Sequence, residues 1–450
     1  MMRSLVVLSI FILAAGCSES SGGGGGAGGT EPPGGVDVAI ETYNLALAGS
    51  FIAYEQQRRE LLPDAIAKSD ADILCLQEVW AQADKEVIRD AAAANFPNVF
   101  MAEDNLLTPL DDPEDQNGDI PPPPTTVPCP EGGTKDAMDA AIDCVALNCN
   151  TLSPSDENGQ TTSIDCAISK CIAEVGSLLT VPRCYACLST QLPTSTFANI
   201  RDSCPTVVEQ DLAFEGQNGV MILSRYPLTD EVHWVIPGTW NRRVIMSATA
   251  TLPGGNELDV YCNHLTPVFD GIAYPYTGRY GDGQAGAAGW EAELLLQTQK
   301  LIDHVELTSG ETPAVILGDL NAGRDYPEQE IFADGEAALD LLETAFTPAY
   351  EDGYVPQCTF CITNPVREPG AADVSNWIDH IHLYNLPGSF VVKTERTFDE
   401  DVVPVPAGAG GAGGGGGAGG GGGAGGAGEM RVPLSDHFGV RSVITVPDGQ

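Results

Sequence analysis

Basic side chains are scarce in this chain. It holds 21 lysine and arginine residues against 63 acidic ones, for a formal net charge of −42 at pH 7. Proteins bind nucleic acid without sequence preference mainly by neutralising phosphates with lysine and arginine. The shortage therefore disfavours long DNA or RNA as a partner without excluding it. An equal alternative is that the acidity only keeps an exported protein soluble.

The apolar run at the amino terminus is short. Arg3 precedes the apolar residues 5–13, and small residues follow up to Cys17. Such a run is too short for an ordinary transmembrane helix, and its basic start and small-residue end are typical of a signal peptide. We therefore predict that residues 1–16 are a signal peptide.

The end of this peptide, Leu13-Ala14-Ala15-Gly16-Cys17, resembles a bacterial lipoprotein box. The resemblance implies cleavage before Cys17, a lipid on that cysteine, and export to the cell envelope with a membrane anchor. Ser18 after the cysteine resembles the outer-membrane sorting pattern. Residues 17–35 are rich in glycine and serine and predict a flexible tether. The alternative is ordinary signal cleavage that leaves Cys17 unmodified.

Cysteine, in contrast, is plentiful. Apart from Cys17, twelve of the 13 cysteines remain, and an even set in an exported protein predicts disulfides. Zinc is the alternative for the closely spaced pairs. Cys358 and Cys361 form a separate Cys-x-x-Cys, while Cys75 and Cys262 lie in predicted strands. Eight others fall in one segment: Cys129, Cys144, Cys149, Cys166, Cys171, Cys184, Cys187 and Cys204.

The periodicity of apolar residues predicts alternating strands and helices. The chain begins with a strand at 36–44, a helix at 55–68, a strand at 72–77 and a helix at 84–95. This order favours a layered α/β fold. Further elements are predicted as strands at 219–224, 231–236, 244–252, 257–263, 314–318, 376–383 and 437–445, and a helix at 290–305.

Two segments interrupt this alternation. Residues 104–211 contain an acidic stretch, four consecutive prolines and the eight clustered cysteines, so we predict an inserted, disulfide-rich surface subdomain. Residues 406–428 are almost entirely glycine and alanine. They offer no side chains to bury, so we predict a disordered loop. The fold tolerates a loop of this length because the entropy cost of closing a loop grows only slowly with its length.

Polar side chains stand at the ends of the predicted strands, and together they match a known family. The motifs, in chain order, are Thr42-Tyr43-Asn44, Leu76-Gln77-Glu78-Val79, Gly219-Val220-Met221-Ile222-Leu223-Ser224-Arg225, Asn263-His264-Leu265, Gly318-Asp319-Leu320-Asn321, Ile378-Asp379-His380-Ile381 and Ser435-Asp436-His437. They resemble the endonuclease/exonuclease/phosphatase superfamily over residues 36–103 and 212–446. The resemblance implies a four-layer sandwich of two mixed β-sheets flanked by helices, with one catalytic domain over residues 36–450 that the two segments interrupt.

Hydrolysis of a phosphoester requires stabilisation of negative charge on the phosphoryl oxygens and an activated water. Mg²⁺ takes hard oxygen ligands and keeps several waters, so Glu78 is the expected ligand. Asn44 and Asp436 complete or orient the coordination in this interpretation. Mn²⁺ and Ca²⁺ are the alternative ions. The alternative for Glu78 is a structural carboxylate at a strand end.

The resemblance also implies roles for the remaining polar residues. His437 is the candidate general base or phosphate-polarising group because imidazole titrates near neutral pH, and the family pattern pairs it with Asp379. His264 is expected to bind the phosphate or protonate an oxygen. Asn321 is expected to donate hydrogen bonds to the developing charge, and Asp319 to position water or the leaving group.

Two features favour a phospholipid headgroup as the substrate. Gln77-Glu78-Val79-Trp80 resembles the corresponding stretch of neutral sphingomyelinases. The loop at 266–290 carries five aromatic residues, which suit a water–lipid boundary, although they equally suit a loop that covers the site. The alternatives are an extracellular DNA or RNA endonuclease and a catalytically silent surface-binding module.

Overall fold

Fourteen strands are present among the residues that the computed structural model describes, which are 34–102, 126–149, 163–192, 196–206, 212–269, 271–280, 286–367, 374–405 and 430–448. The predicted signal peptide, Cys17 and the Gly/Ala segment lie outside them. The strands are β1 (Gly35–Asn44), β2 (Ile73–Gln77), β3 (Asn98–Phe100), β4 (Met221–Ser224), β5 (Leu228–Ile236), β6 (Arg243–Thr251), β7 (Glu257–His264), β8 (Ala314–Asp319), β9 (Thr347–Pro348), β10 (Asp379–Tyr384), β11 (Val391–Thr397), β12 (Val403–Val405), β13 (Met430–Val432) and β14 (Gly439–Pro447).

The described residues also form eight α-helices, four of which lie in the predicted insert. The helices are α1 (Glu55–Ile66), α2 (Gln82–Ala92), α3 (Gly133–Asn148), α4 (Ser163–Leu178), α5 (Pro182–Gln191), α6 (Phe197–Ser203), α7 (Ala287–Ser309) and α8 (Glu336–Leu342). Each helix and strand predicted outside the insert is present, with its bounds shifted by a few residues.

Most strands belong to two six-stranded sheets. The order in the first is β11-β14-β1-β2-β4-β3, and in the second β5-β6-β7-β8-β10-β9. Each is mixed, because β1–β2 and β7–β8 run parallel while the other pairs run antiparallel. A separate hairpin joins β12 to β13.

The alternation of side chains along the strands places one apolar face of each sheet in a shared core. Ile40 and Ile73 of the first sheet pack in one cluster with Val260 and Leu317 of the second. Helices α1 and α2 cover the other face of the first sheet, and α7 and α8 that of the second. The predicted four-layer α/β sandwich is therefore confirmed.

Four disulfides hold the helical insert together, as its cysteine content predicts. The bonds are Cys129–Cys184, Cys144–Cys171, Cys149–Cys166 and Cys187–Cys204. Two more, Cys75–Cys262 and Cys358–Cys361, lie outside the insert. All twelve cysteines after Cys17 are thus oxidised, which leaves none of them for zinc. Six disulfides require an oxidising compartment, so the protein is an exported one.

None of the helices in the described part of the chain combines the length and the apolarity that crossing a bilayer requires.

Candidate active site

The polar motifs meet at one edge of the sandwich because the strands that carry them end in register. In the first sheet Asn44 pairs with Gln77, and in the second His264 and Asp379 both pair with Asp319. Gly318 allows the close approach of β7 to β8, since a Cβ there would lie 2.0 Å from the backbone oxygen of Asn263.

Asn44 links the two sheets at this edge. Its Nδ2 donates to Asp319 Oδ2 at 2.9 Å and to Glu78 Oε1 at 3.3 Å, while its Oδ1 accepts the N–H of Ala46. The amide nitrogen therefore faces the carboxylates. This geometry corresponds to orienting Glu78, one of the two roles predicted for Asn44.

Glu78 directly follows β2 and has a left-handed backbone, with φ of 56°. Left-handed conformations of non-glycine residues are uncommon and concentrate at functional sites. The side chain is 21% exposed. Burial raises the pKa of Glu78, and the negative charge of Asp436 raises it further. Two carboxylates thus share one region, where a divalent cation would relieve their repulsion.

Asp379 and His437 form the predicted pair. His437 Nδ1 donates to Asp379 Oδ2 at 2.8 Å, and His437 Nε2 lies 3.8 Å from Asp319 Oδ2. Burial by itself would lower the pKa of His437, but the charges of Asp379 and Asp319 outweigh it and raise the pKa well above its usual value. The structure therefore favours an imidazolium held between two carboxylates.

Asp319 lies between the two histidines of the site. Burial and the charge of Asp379 raise the pKa of Asp319 to about 7, although His437 opposes this shift. His264 Nε2 lies 3.5 Å from Asp319 Oδ2. Burial and the positive charge of Arg243 lower the pKa of His264 well below its usual value. His264 is therefore neutral at pH 7.

The remaining predicted residues reach the same edge. Asn321 has φ of 47°; its Nδ2 donates to the backbone oxygen of Leu265, and its N–H donates to Asp319 Oδ1. Asp436 is buried and accepts from Ser435 Oγ. The structure thus brings all eight predicted residues together. The side-chain amide of Asn321, however, already donates to a backbone oxygen.

Two sets of side chains offer ligands for a divalent cation. Ligand atoms of Asp319, Asp379 and His437 all lie within 4.8 Å of one another. However, His437 Nδ1 already donates to Asp379, which is fully buried. Glu78 with Asp436 supplies only hard oxygen, and the partial exposure of Glu78 leaves room for the waters that Mg²⁺ retains. The second set fits the ion better.

Two buried arginines support the site. Arg58 donates to the backbone oxygens of Leu45, Ala46 and Leu434, and so joins the segment after Asn44 to the segment before Asp436. Arg243 donates to the backbone oxygen of His264. Burial lowers the pKa of each arginine to about 10, which leaves both charged at pH 7.

Sequence reasoning missed the role of Arg58, because it treated that residue as part of the repeating pattern of a helix. The one available signal was the scarcity of basic residues, which makes each arginine within a predicted core element unusual.

The aromatic loop after His264 turns inward. Tyr274, Tyr276 and Trp290 are buried in one cluster against Trp240 and Phe269. These rings therefore pack inside the protein and do not form an exposed aromatic belt. Trp80 lies closer to the chemistry, with its ring 5.9 Å from that of His264 and stacked on Phe214.

Several solved structures share the architecture at low sequence identity. Sphingomyelinase C from Streptomyces griseocarneus is 12% identical, with a TM-score of 0.45, 91% of this chain covered and 99% of the other. A Staphylococcus aureus beta toxin with bound magnesium ions is 13% identical, with a TM-score of 0.45 and coverage of 90% and 99%. A truncated Caenorhabditis elegans TDP2 is 9% identical, with a TM-score of 0.44 and coverage of 91% and 98%.

No curated protein sequence matches the chain. A family model described as the Endonuclease/Exonuclease/phosphatase family, however, matches residues 42–437. That span contains every predicted site residue from Asn44 to His437, and the chain belongs to this family.

Proposed function

We propose that the protein is a Mg²⁺-dependent phosphodiester hydrolase. The observation that carries the proposal is the Asp379–His437 pair, joined at 2.8 Å and facing Asp319 at the edge that also holds Glu78. A proton donor, a neighbouring carboxylate that can take up a proton and an oxygen-rich cation site are the groups that phosphoester hydrolysis needs. Their preservation argues against a catalytically silent module.

Glu78 and Asp436 would hold the cation, and Asn44 orients Glu78. When bound, the metal supplies charge stabilisation and lowers the pKa of a bound water. Asp379 fixes the ring of His437, so that the Nε2–H of the imidazolium can donate to a phosphoryl oxygen. His264, being neutral, can donate a second hydrogen bond. Asp319 accepts the proton of the attacking water as the water oxygen bonds to phosphorus, the bond from phosphorus to the alcohol oxygen breaks, and that oxygen takes up a proton from solvent.

The substrate we propose is a phospholipid headgroup. The net charge of −42 opposes the approach of long polyanions, whereas a lipid headgroup presents a single phosphodiester. The buried ring of Trp80 lies 5.9 Å from that of His264 and makes the surroundings of this histidine apolar. A lipid on Cys17 would hold the enzyme at a membrane. Mn²⁺ and Ca²⁺ are the alternative ions, and a nucleic-acid substrate is the alternative that the assay below tests.

A substrate panel tests this proposal. The protein would be incubated with bis-p-nitrophenyl phosphate, sphingomyelin, phosphatidylcholine and plasmid DNA, each in Mg²⁺ and in EDTA. We expect hydrolysis of the small diester and of at least one lipid, and only in Mg²⁺. Cleavage of plasmid alone would reject a lipid as the substrate. If no substrate were hydrolysed, the proposal that the protein is a phosphodiester hydrolase would be rejected.

The anchor is tested separately. We propose that Cys17 is lipidated and holds the protein in the outer membrane. Mass spectrometry of the mature amino terminus should show acylated Cys17, and Cys17→Ser should release the protein from the membrane fraction. An unmodified Cys17 in the mature protein would leave the catalytic proposal intact but remove the anchor.

A further inference from the structure

A short loop closed by the Cys358–Cys361 disulfide contacts the catalytic pair, and the mechanism above assigns it no role. Thr359, between the two cysteines, is 1% exposed. Its hydroxyl oxygen accepts the backbone N–H groups of Ile378 and Asp379, both at 3.2 Å. This hydroxyl therefore helps to hold the start of β10, and with it the Asp379 side chain, in place.

The backbone of Thr359 reaches the other half of the pair. Its carbonyl oxygen accepts the N–H of Phe438 at 2.8 Å, directly after His437. Thr359 thus bonds to the segments on both sides of the Asp379–His437 hydrogen bond. These segments are far apart in the chain, and Thr359 joins them.

Two more residues of the loop reinforce this arrangement. The ring of Phe360 lies 4.9 Å from that of His437, centroid to centroid, and covers one face of the imidazole. Asn364 Nδ2 donates to the backbone oxygen of Ser435 at 2.8 Å. Phe360 also exchanges two backbone hydrogen bonds with Asn376, which precedes β10. The loop therefore packs against each segment that carries Asp379 or His437.

We infer that the disulfide-closed loop, residues 358–364, positions the Asp379–His437 pair, with Thr359 as the principal positioning residue. The inference rests on the proposed function and adds residues to it. A four-residue ring leaves Thr359 and Phe360 little conformational freedom, so the disulfide lowers the entropy cost of holding them against the pair. Pre-organisation of this kind matters because displacement by about 1 Å can cost about 100-fold in rate.

Thr359→Val tests the inference, because valine keeps the shape but removes the oxygen that accepts both N–H groups. We expect kcat on bis-p-nitrophenyl phosphate to fall about 10- to 100-fold with KM little changed, and Thr359→Ser to restore most of it. The matched control is Thr298→Val, which removes a buried hydroxyl from α7 that donates to Leu294. It should lower Tm without changing kcat.

A second readout does not depend on activity. The Nδ1–H proton of His437, bonded to Asp379, should give a low-field NMR signal that Thr359→Val weakens and Thr359→Ser keeps. An unchanged signal in folded Thr359→Val would overturn the inference. An inactive wild type whose signal still responds to Thr359→Val would reject the proposed function and leave the positioning role standing.

The disulfide has its own test. Cys358→Ser with Cys361→Ser should lower kcat about tenfold, as loss of pre-organisation predicts. The control is Cys149→Ser with Cys166→Ser, which removes a disulfide of the insert. Equal kcat in the two double variants would show that the disulfide does not act on the site.

Discussion

Asp379 determines how the imidazole of His437 is used. The carboxylate is fully buried and accepts from Nδ1, which leaves Nε2 directed toward Asp319. Asparagine has the same shape but can present its NH₂ group to the ring, which then loses both its orientation and its charge. The carboxylate therefore fixes the charge and the tautomer of the imidazole. Replacing it with asparagine removes both effects and keeps the volume of the side chain.

We therefore expect Asp379→Asn to lower kcat by at least about 100-fold while Tm changes little. The measurement is steady-state hydrolysis of bis-p-nitrophenyl phosphate at saturating substrate. Asp259→Asn, at the opposite end of β7 from His264, is the matched control and should be fully active. Comparable rates in the two variants would mean that Asp379 has no part in the chemistry.

A histidine away from the site links stability to pH. His304 of α7 is 1% exposed, its ring nitrogens lack hydrogen-bond partners, and burial lowers its pKa to about 4. The unfolded chain takes up this proton near pH 6.5, whereas the folded protein does so only near pH 4. Stability should therefore be highest above pH 6.5 and fall by up to about 3 kcal/mol as the pH drops to 4.

His304→Phe should flatten this dependence, because phenylalanine keeps the ring against Trp234 but cannot be protonated. Urea unfolding at pH 7 and pH 4.5 measures the difference for both proteins. The same loss of stability in both would show that His304 does not contribute.

At the residue scale the motifs predicted which side chains lie together at one edge of the sandwich. The pairing of Asp379 with His437 followed from the family resemblance and is present at 2.8 Å. Thr359 and Arg58 could not be predicted, since both act through backbone hydrogen bonds to residues distant in sequence. Bonds to backbone leave no pattern of side-chain types, so only the fold shows them.

At the scale of elements, the Cys75–Cys262 disulfide crosses the core between the sheets. It joins β2, which ends just before Glu78, to β7, which ends at His264. The separation of 187 residues means that the bond greatly restricts the unfolded chain. The disulfide thus stabilises the fold and fixes the distance between two site residues.

Cys75→Ala with Cys262→Ala should lower the free energy of unfolding by about 3 to 5 kcal/mol, as expected for a long closed loop. Urea denaturation followed by tryptophan fluorescence checks this value. Cys144→Ala with Cys171→Ala, within the insert, should leave unfolding of the sandwich unchanged. If both double variants unfold like the wild type, the cross-sheet bond is not a major source of stability.

Elements with strong periodicity were predictable, and short edge elements were not. β2 and β8 carry continuous apolar runs, β1 and β7 alternate between apolar and polar residues, and all four were predicted from the sequence. β11 was missed because, at the edge of its sheet, it exposes Val392 and alternates weakly. β9 spans only Thr347–Pro348, too short for any periodicity. Disulfide pairing was also undetermined, since twelve cysteines allow many connectivities.

At the scale of the whole molecule, two long segments separate neighbouring strands of the sandwich and of its β12–β13 hairpin. The Gly/Ala segment begins after β12 and ends before β13, where Val405 pairs directly with Met430. The two ends are therefore already as close as in a tight hairpin. A short turn such as Asn-Gly satisfies that geometry.

Replacing residues 406–429 with Asn-Gly should preserve kcat and leave Tm equal or higher, because the shorter loop costs less entropy to close. Differential scanning calorimetry and the bis-p-nitrophenyl phosphate assay measure both quantities. A folded but inactive product would show that the segment is more than a spacer.

The central claim is that Glu78 holds a divalent cation that hydrolysis requires. The most direct measurement is bis-p-nitrophenyl phosphate turnover by wild type and Glu78→Gln in Mg²⁺, in EDTA, and after Mg²⁺ is restored. We predict wild-type activity that EDTA abolishes and Mg²⁺ restores, with Glu78→Gln slower by at least about 100-fold, since weaker binding of the metal forfeits charge stabilisation of about several kcal/mol. Turnover in EDTA that equals turnover in Mg²⁺, and that survives Glu78→Gln, would contradict the account.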